Sequence, residues 1–425
     1  MRGWPRGFRR GGVAGPSATV LRLFTAPQCL VRDLAKDDVG IHKTRSLDMT
    51  KPKLLYVITE DWFFASHFLP MARAARDAGF DVCVAARFRA HRNQITSEGV
   101  RAIPVEAERG QLSPLALLRI AFRLRQVMRE EQPDIVHLIA LKSILVGGLA
   151  ARLANVEHRV VAVTGLGLLG AAEGTVPRIA RSSCRAMLTK LVDGPGTRYI
   201  FENRDDPVFF GLDPGDRRRV TIVPGAGVDP LLFAPQPMSA WGTLRLAIVS
   251  RMLWSKGVDV VVEAVQKARA RKADITLSIF GAPDASNPRA IPVSVLKRWS
   301  ANDGIGWLGA TDDVRDVWAK HHVAVLASRG GEGLPKTLLE AAACGRAIIT
   351  TDVNGCRDFI RDGVEGLIVP PNDSDALCNA ILRFAEDRGL VERCGVAARQ
   401  RVVEGYTEKM VGDATLAVYR DLLDG

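Results

Sequence analysis

Four charged residues in the C-terminal half have the types and spacing to do chemistry together: Arg251, Lys256, Glu332 and Glu340. Arg251 and Lys256 bracket a turn after the apolar run Leu244–Ser250, and Lys256-Gly257 opens a helix. Two cations there suit a diphosphate. Each, at about 4 Å, contributes up to about 4 kcal/mol at an effective dielectric near 20, less the cost of desolvating both sides. Glu332 and Glu340 follow the spacing Glu-x7-Glu. Ionised carboxylates repel phosphate but accept pairs of hydrogen bonds, which suits the vicinal diols of a ribose or a hexose. Taken alone, each pair also fits ordinary solvated side chains. His67, in the stretch Thr59–His67 read as a loop after the first strand, is a candidate for acceptor-side catalysis. His137 lies inside an apolar run and reads as a core histidine.

The elements that must hold these groups can be read from hydrophobic runs. Val323–Ala327 is a buried parallel strand, Ser328–Leu334 a glycine-rich loop, and Pro335 tolerates the first position of a helix that Gly345 stops. Ala347–Thr351 is the next strand. A helix N-terminus aimed past the carboxyl ends of strands favours anions. The same alternation recurs along the chain. Leu54–Ile58, Asp81–Ala85, Gly99–Pro104, Asp134–Ile139, Arg159–Thr164, Tyr199–Glu202 and Val220–Pro224 read as strands of a first domain, 53–229. A linker at 230–242 leads to a second domain, 243–405. Its strands are Leu244–Ser250, Ile275–Phe280, Gly306–Leu308, Val323–Ala327, Ala347–Thr351 and Gly366–Val369. Repeated β-α units imply parallel sheets covered on both faces.

With these residues in order, the segment Glu332-Gly-Leu-Pro-x4-Glu340-Ala-x-Ala-Cys-Gly345 resembles the signature of family 4 glycosyltransferases, retaining enzymes of the GT-B fold. The resemblance runs from about Lys53 to the C-terminus. It implies an α/β chain of two Rossmann-like domains facing across a cleft, with a C-terminal helix (406–425) packing back on the first domain. It implies a nucleotide-diphosphate sugar as donor, UDP-linked hexose or N-acetylhexosamine, and a glycan or polyprenyl-diphosphate-linked acceptor. Surface polysaccharide would be the product. Arg251 and Lys256 would hold the departing diphosphate, helped by Pro335 at the helix start. Gly281 would let backbone approach the nucleotide, Glu340 would hold the ribose, and Glu332 with Gly333 and Leu334 the sugar. Lys256→Ala and Glu332→Ala are expected to fold normally and lose transfer. A nucleotide-sugar epimerase, a phosphorylase and a non-catalytic nucleotide-sugar-binding protein are the other readings of the same fold.

Gly165-x-Gly167-x-x-Gly170 fits a dinucleotide fingerprint, but Gly174 and Pro177 interrupt the helix that must follow at once, and the next region is basic. The expected role of Gly165 and Gly167 is a flexible cleft loop. Relatives with Thr-x-His-Gly there carry a histidine that Val163-Thr164-Gly165 lacks. Asp373-Ser-Asp375 mimics a metal motif yet precedes a helix, where capping is expected. No essential metal and no cofactor are expected.

Composition sets the frame. The 425 residues, 47% hydrophobic and 25% charged, can bury two or three domain cores. The formal net charge of +11 suits an anionic substrate or surface. No aromatic-basic pattern supports nucleic acid. Seven scattered cysteines without a CxxC pair point to a reducing compartment, the cytoplasm. The helix Pro114–Glu131 interleaves Arg119, Arg123, Arg125 and Arg129 with Leu118 and Phe122, which suits docking on an anionic inner-membrane face or packing on a neighbouring loop. Residues 1–48, with nine basic and four acidic side chains in a Gly/Pro-rich stretch, read as a disordered leader or a mis-called upstream start before Met49.

Overall fold

The computed structural model describes residues 51–424, apart from 107–112, 168–174, 239–241, 285–286 and 288. The expected leader lies outside the described residues. Two parallel sheets form. The first has β1 (Lys53–Glu60), β2 (Asp81–Arg87), β3 (Arg101–Pro104), β4 (Ile135–Ile139), β5 (His158–Val163), β6 (Thr197–Phe201) and β7 (Val220–Ile222), in the order β3-β2-β1-β4-β5-β6-β7. The second has β8 (Leu244–Val249), β9 (Ile275–Phe280), β10 (Ile305–Gly309), β11 (Val323–Leu326), β12 (Ala347–Thr351) and β13 (Gly366–Val369), in the order β10-β9-β8-β11-β12-β13. Helices cover both faces of each, so the central strands are buried on both sides: β4 and β11 are buried at every residue. This is the α/β architecture of two Rossmann-like domains that the runs predict.

Strand order decides where ligands can sit. In each sheet the order reverses once, between β1 and β4 in the first and between β8 and β11 in the second. The crevice beyond the carboxyl ends of such strands is where open α/β sheets bind ligands. The turns after β1, β4, β8 and β11 therefore supply the site. Arg251 and Lys256 follow β8, Glu332 follows β11, and His67 follows β1.

The turn after β1 departs from expectation. Thr59 and Glu60 belong to the strand, and Asp61–His67 is not a loop but a helical turn (Asp61–Phe63) feeding a π-helical turn (Phe64–Phe68) and the helix Leu69–Asp77. The buried Asp61 carboxylate accepts the N–H groups of Arg89 and His91 at 2.7 and 2.9 Å, which anchors the turn to the chain after β2. A π-turn adds one residue per turn, a feature frequent at functional sites. Here it carries the Trp62–His67 stretch to the cleft.

The two domains are linked twice. The chain leaves the first domain near Val228, and the helix Glu408–Asp424 returns to it, packing on the helix Leu69–Asp77. Val228 and Thr407 form a parallel bridge, with Val228 N donating to Tyr406 O and Glu408 N donating to Val228 O, both at 3.1 Å. Val411, Val418, Tyr419 and Leu422 of the returning helix belong to the core under β1 and β4. Inside it the Tyr419 hydroxyl lies 2.9 Å from the Tyr56 hydroxyl and 2.6 Å from Nδ1 of His137. His137 is fully buried there, stacked on Tyr56 and away from the cleft. Burial pushes its imidazole down to about 3.

Candidate active site

Between the domains lies a cavity of about 480 Å³. The second domain contributes Arg251, Lys256 and the stretch Gly331–Thr337. The first contributes Trp62, Phe63, His67, Lys142, Gly165–Gly167 and Glu202. Arg251, Lys256, Glu332, Gly333, Leu334, Pro335, Gly165, Gly167 and His67 are thus brought to one place. Gly281 and Glu340 are not among the lining residues. Gly281, at φ +137°, sits where an added Cβ would lie 1.8 Å from Ser250 O, so a glycine is needed for the turns after β8 and β9 to approach this closely. Glu340 lies one turn beyond Lys336 in the helix Lys336–Ala343, which Pro335 caps.

Lys256 and Glu332, read from sequence as meeting around one ligand, also contact each other directly. Lys256 Nζ donates to both oxygens of Glu332, at 2.7 and 2.9 Å, across the β8–β11 crevice. Ser328 Oγ donates to the same carboxylate. Burial alone would raise the Glu332 carboxyl; Lys256, Ser328 and Arg251 outweigh it and hold it below the usual carboxylate range. Glu332 is therefore ionised at neutral pH and serves as an acceptor, not an acid. Arg251 reaches across the cleft, its guanidinium 5.7 Å from the Trp62 ring centre, within cation–π range. Beside it the Phe63 and His67 rings are 4.3 Å apart, and the His67 Nδ1 is 2.6 Å from Ser66 Oγ. Burial and three nearby cations, Lys336, Arg251 and Lys256, push His67 down to about 3. Its imidazole is neutral at physiological pH.

Glu340 is held differently. Burial pushes its carboxyl up to about 7, Lys336 opposing and Glu408 adding to the rise. The cleft is closed by contacts from both sides. Lys336 Nζ donates to Ser66 O, Gly167 N to Gly331 O at 2.9 Å, and Leu334 N to the Glu202 carboxylate at 2.8 Å. Gly331, at φ +72°, and Gly165, at φ +102°, are required here, since a Cβ on either would collide with backbone of the opposite domain. Ala140, at φ +64° and ψ 151°, holds the turn after β4 in a region sparsely populated by anything but glycine.

Trp62, Phe63, Lys142, Glu202 and Lys336 were not singled out from sequence. Two signals pointed to some of them. Trp-Phe-Phe follows one residue after β1, and Lys336 puts a cation in the first turn of a helix, against its dipole. Glu202 and Lys142 owe their place to strand order alone. Asp373 caps the helix Ser374–Glu386, accepting Ala376 N at 2.8 Å, and Asp375 pairs with Lys267. Among the described residues no group of three His, Cys, Asp or Glu side chains could hold a metal. The six described cysteines are free and buried. No described helix is long and apolar enough to cross a membrane.

Comparison with known proteins gives concordant results. Residues 53–190 match the family model "Glycosyl transferase 4-like" and residues 243–387 the model "Glycosyl transferases group 1", together two thirds of the chain. One curated relative is the N,N'-diacetylbacillosaminyl-diphospho-undecaprenol α-1,3-N-acetylgalactosaminyltransferase of Campylobacter jejuni. It is 26% identical over 366 residues, spanning 83% of this chain and 94% of the relative. Another is the UDP-Gal:α-D-GlcNAc-diphosphoundecaprenol α-1,3-galactosyltransferase of Escherichia coli, 23% identical over 77% of this chain and 85% of its own. The Anabaena protein HepE, solved with UDP and glucose, superposes with a TM-score of 0.69 over 87% of this chain and 99% of its own at 15% identity, which shows a common fold.

Proposed function

The chain belongs to the family 4-like, group 1 glycosyltransferases of the GT-B fold, and from that premise we propose that it transfers a hexose or N-acetylhexosamine from a UDP-sugar to a polyprenyl-diphosphate-linked glycan, with retention of configuration. Both relatives are named as sugar transferases acting on diphospho-undecaprenol-linked sugars, and the Escherichia coli one names UDP-Gal as donor. One observation carries the residue roles: Arg251, Lys256 and Glu332 line one cavity with the start of the helix Lys336–Ala343, opposite the aromatic wall Trp62–Phe63.

The chemistry follows from the charges. A diphosphate entering beside Arg251 and Lys256 would meet two cations and the N-terminal backbone of that helix, all placed where negative charge grows as the sugar departs. Lys256 is already oriented by Glu332, so little reorganisation is needed. Glu332 spends three acceptor sites on Lys256 and Ser328 and keeps lone-pair capacity for a sugar hydroxyl. UDP is a stable leaving group that needs no proton, which agrees with an ionised Glu332. His67, neutral and flanked by three cations, is a weak base in this state; we assign it to hydrogen bonding an acceptor hydroxyl. No metal is required, because Arg251 and Lys256 supply the countercharge.

The helix Pro114–Glu131 fits an acceptor held at a membrane. Its exposed face carries Leu115 (69% exposed), Phe122 (57%) and Leu118 beside Arg119, Arg123 and Arg129, while Ile120, Leu124, Val127 and Met128 are buried. Arg125 is half-buried and donates to Leu153 O at 3.1 Å. Apolar side chains among arginines match an anionic leaflet, which would place the protein peripherally on the cytoplasmic face.

The test is UDP release from UDP-Glc, UDP-Gal, UDP-GlcNAc and UDP-GalNAc, with and without an undecaprenyl-diphosphate-linked sugar, followed by the anomeric configuration of the product. Release that depends on the lipid-linked sugar is expected. Failure of all four donors to bind, or an inverted product, would overturn the proposal.

A further inference from the structure

The second-domain loop that carries Glu332 is held by the first domain. Glu202 directly follows β6, at a strand carboxyl end facing the cleft, and its carboxylate accepts the Leu334 N–H at 2.8 Å. The fit is tight: a Cβ on Gly333 would lie 2.0 Å from Glu202 Oε2 and 2.9 Å from the Thr164 carbonyl carbon. Asn203 Nδ2 lies 3.4 Å from Glu332 O, while its own Oδ1 is fixed by the N–H groups of Asp205 and Asp206. On the other side the Gly167 N–H donates to Gly331 O at 2.9 Å. Residues 331–334 are thus clasped between β6 and the chain after β5. No family residue pattern read from the sequence includes Glu202.

We infer that Glu202 is a cross-domain positioning residue, setting the Glu332–Leu334 loop for the donor sugar only when the two domains are closed. The inference rests on the donor-site reading above. Its logic is geometric. The Glu332 carboxylate can meet both Lys256 and a sugar only if the backbone of Gly333 and Leu334 keeps its place, and on the first-domain side the carboxylate of Glu202 is the side chain that bonds that backbone most closely. Misplacement by about 1 Å can cost about a hundredfold in rate. The groups facing Glu202 are Asp206 and Glu332, and among the described residues no cation pairs with it. Burial, with both carboxylates adding and the Leu334 N–H opposing, pushes it up to about 7. An acceptor that is neutral part of the time still accepts, so the bond survives protonation; the charge is not what the position demands.

Two variants separate positioning from other roles. Glu202→Gln keeps an oxygen that can accept the Leu334 N–H, and Glu202→Ala removes it. Turnover with the best UDP-sugar is expected to fall about 10- to 100-fold in Glu202→Ala, chiefly in kcat, and to recover to within about fivefold in Glu202→Gln. Amide hydrogen exchange across residues 331–334 should speed up about tenfold or more in Glu202→Ala and stay near wild type in Glu202→Gln. Unchanged exchange in Glu202→Ala overturns the inference, as does a Glu202→Gln variant as impaired as Glu202→Ala. Calorimetric UDP binding keeps the two readings apart. A wild type that does not bind UDP sinks the donor site, while the exchange measurement still decides the clasp.

Discussion

Removing Lys256 tests the site through stability as well as rate. Lys256 and Glu332 side chains are each only 15% exposed, and the lysine holds both carboxylate oxygens. In Lys256→Ala the Glu332 carboxylate stays buried with Ser328 as its remaining direct partner and Arg251 as its nearby cation. Breaking a buried pair costs about 3–5 kcal/mol, and the cavity admits some water, so about 3 kcal/mol is expected. For a domain of this size that lowers Tm by roughly 6–12 °C. The variant is expected to fold, as read from sequence, with this reduced margin of stability. The pH dependence has a definite sign. In the wild type Glu332 titrates below its unfolded value, so the pair stabilises above that range and the benefit fades as pH falls. Without Lys256 burial dominates and Glu332 titrates above its unfolded value, so stability is lost as pH rises. The Tm gap between variant and wild type should be widest near pH 8 and narrow toward pH 5. Adding Glu332→Gln should close much of it at pH 8. Transfer should fall about 10²–10³-fold, the worth of one cation against a developing diphosphate at a dielectric near 20. Thermal melts across pH and UDP-release kinetics read both. A gap under 2 °C at pH 8, or one independent of pH, would refute the argument, as would turnover within tenfold.

Three further outcomes follow from the geometry. Glu340 titrates near 7 against an ordinary value of 4.5, so its contribution to stability is lost as pH rises through about 7; Glu340→Gln should raise Tm at pH 8 and leave it unchanged at pH 5, and weaker UDP-sugar binding in the same variant would mark it as a ribose ligand. Trp62→Ala removes the ring beneath Arg251 and is expected to raise the acceptor KM about tenfold with smaller change in UDP affinity; an unchanged KM in a steady-state titration argues against the aromatic wall. Replacing the exposed Arg119, Arg123 and Arg129 by Gln should abolish flotation with phosphatidylglycerol vesicles, at about 1 kcal/mol per arginine, while UDP binding persists.

Much of the scaffold was legible because parallel strands covered on both faces appear as unbroken apolar runs. All thirteen strands overlap the segments read from sequence, with ends shifted by a few residues, although edge strands such as β3 (Arg101–Pro104) are not unbroken apolar runs. Arg251, Lys256 and Glu332 could be paired from sequence because one domain carries them on adjacent switch-point turns. What escaped was set by distance along the chain. Trp62 lies 189 residues from Arg251 (251 − 62) and Glu202 132 residues from Leu334, and no local period encodes either meeting. Glu340 was read with Glu332 from spacing alone; the helix turns it toward Lys336 and the start of the last helix, outside the cavity. The π-turn at Phe64–Phe68 was missed because nothing in Phe-Ala-Ser-His-Phe announces an i→i+5 bond; the preceding turn is anchored through Asp61 to the chain after β2, a contact distant in sequence.

The paired crossings at Val228 and Thr407 limit how the halves can part. Two adjacent chain passes act like the axle of a door: a swing about them spares the bridge and breaks only the cleft contacts, whereas sliding or twisting would tear the bridge or pull Tyr419 out of the core. Opening would then release Arg251 from Trp62 and Leu334 from Glu202 in one motion, leaving each half-site on its own leaf.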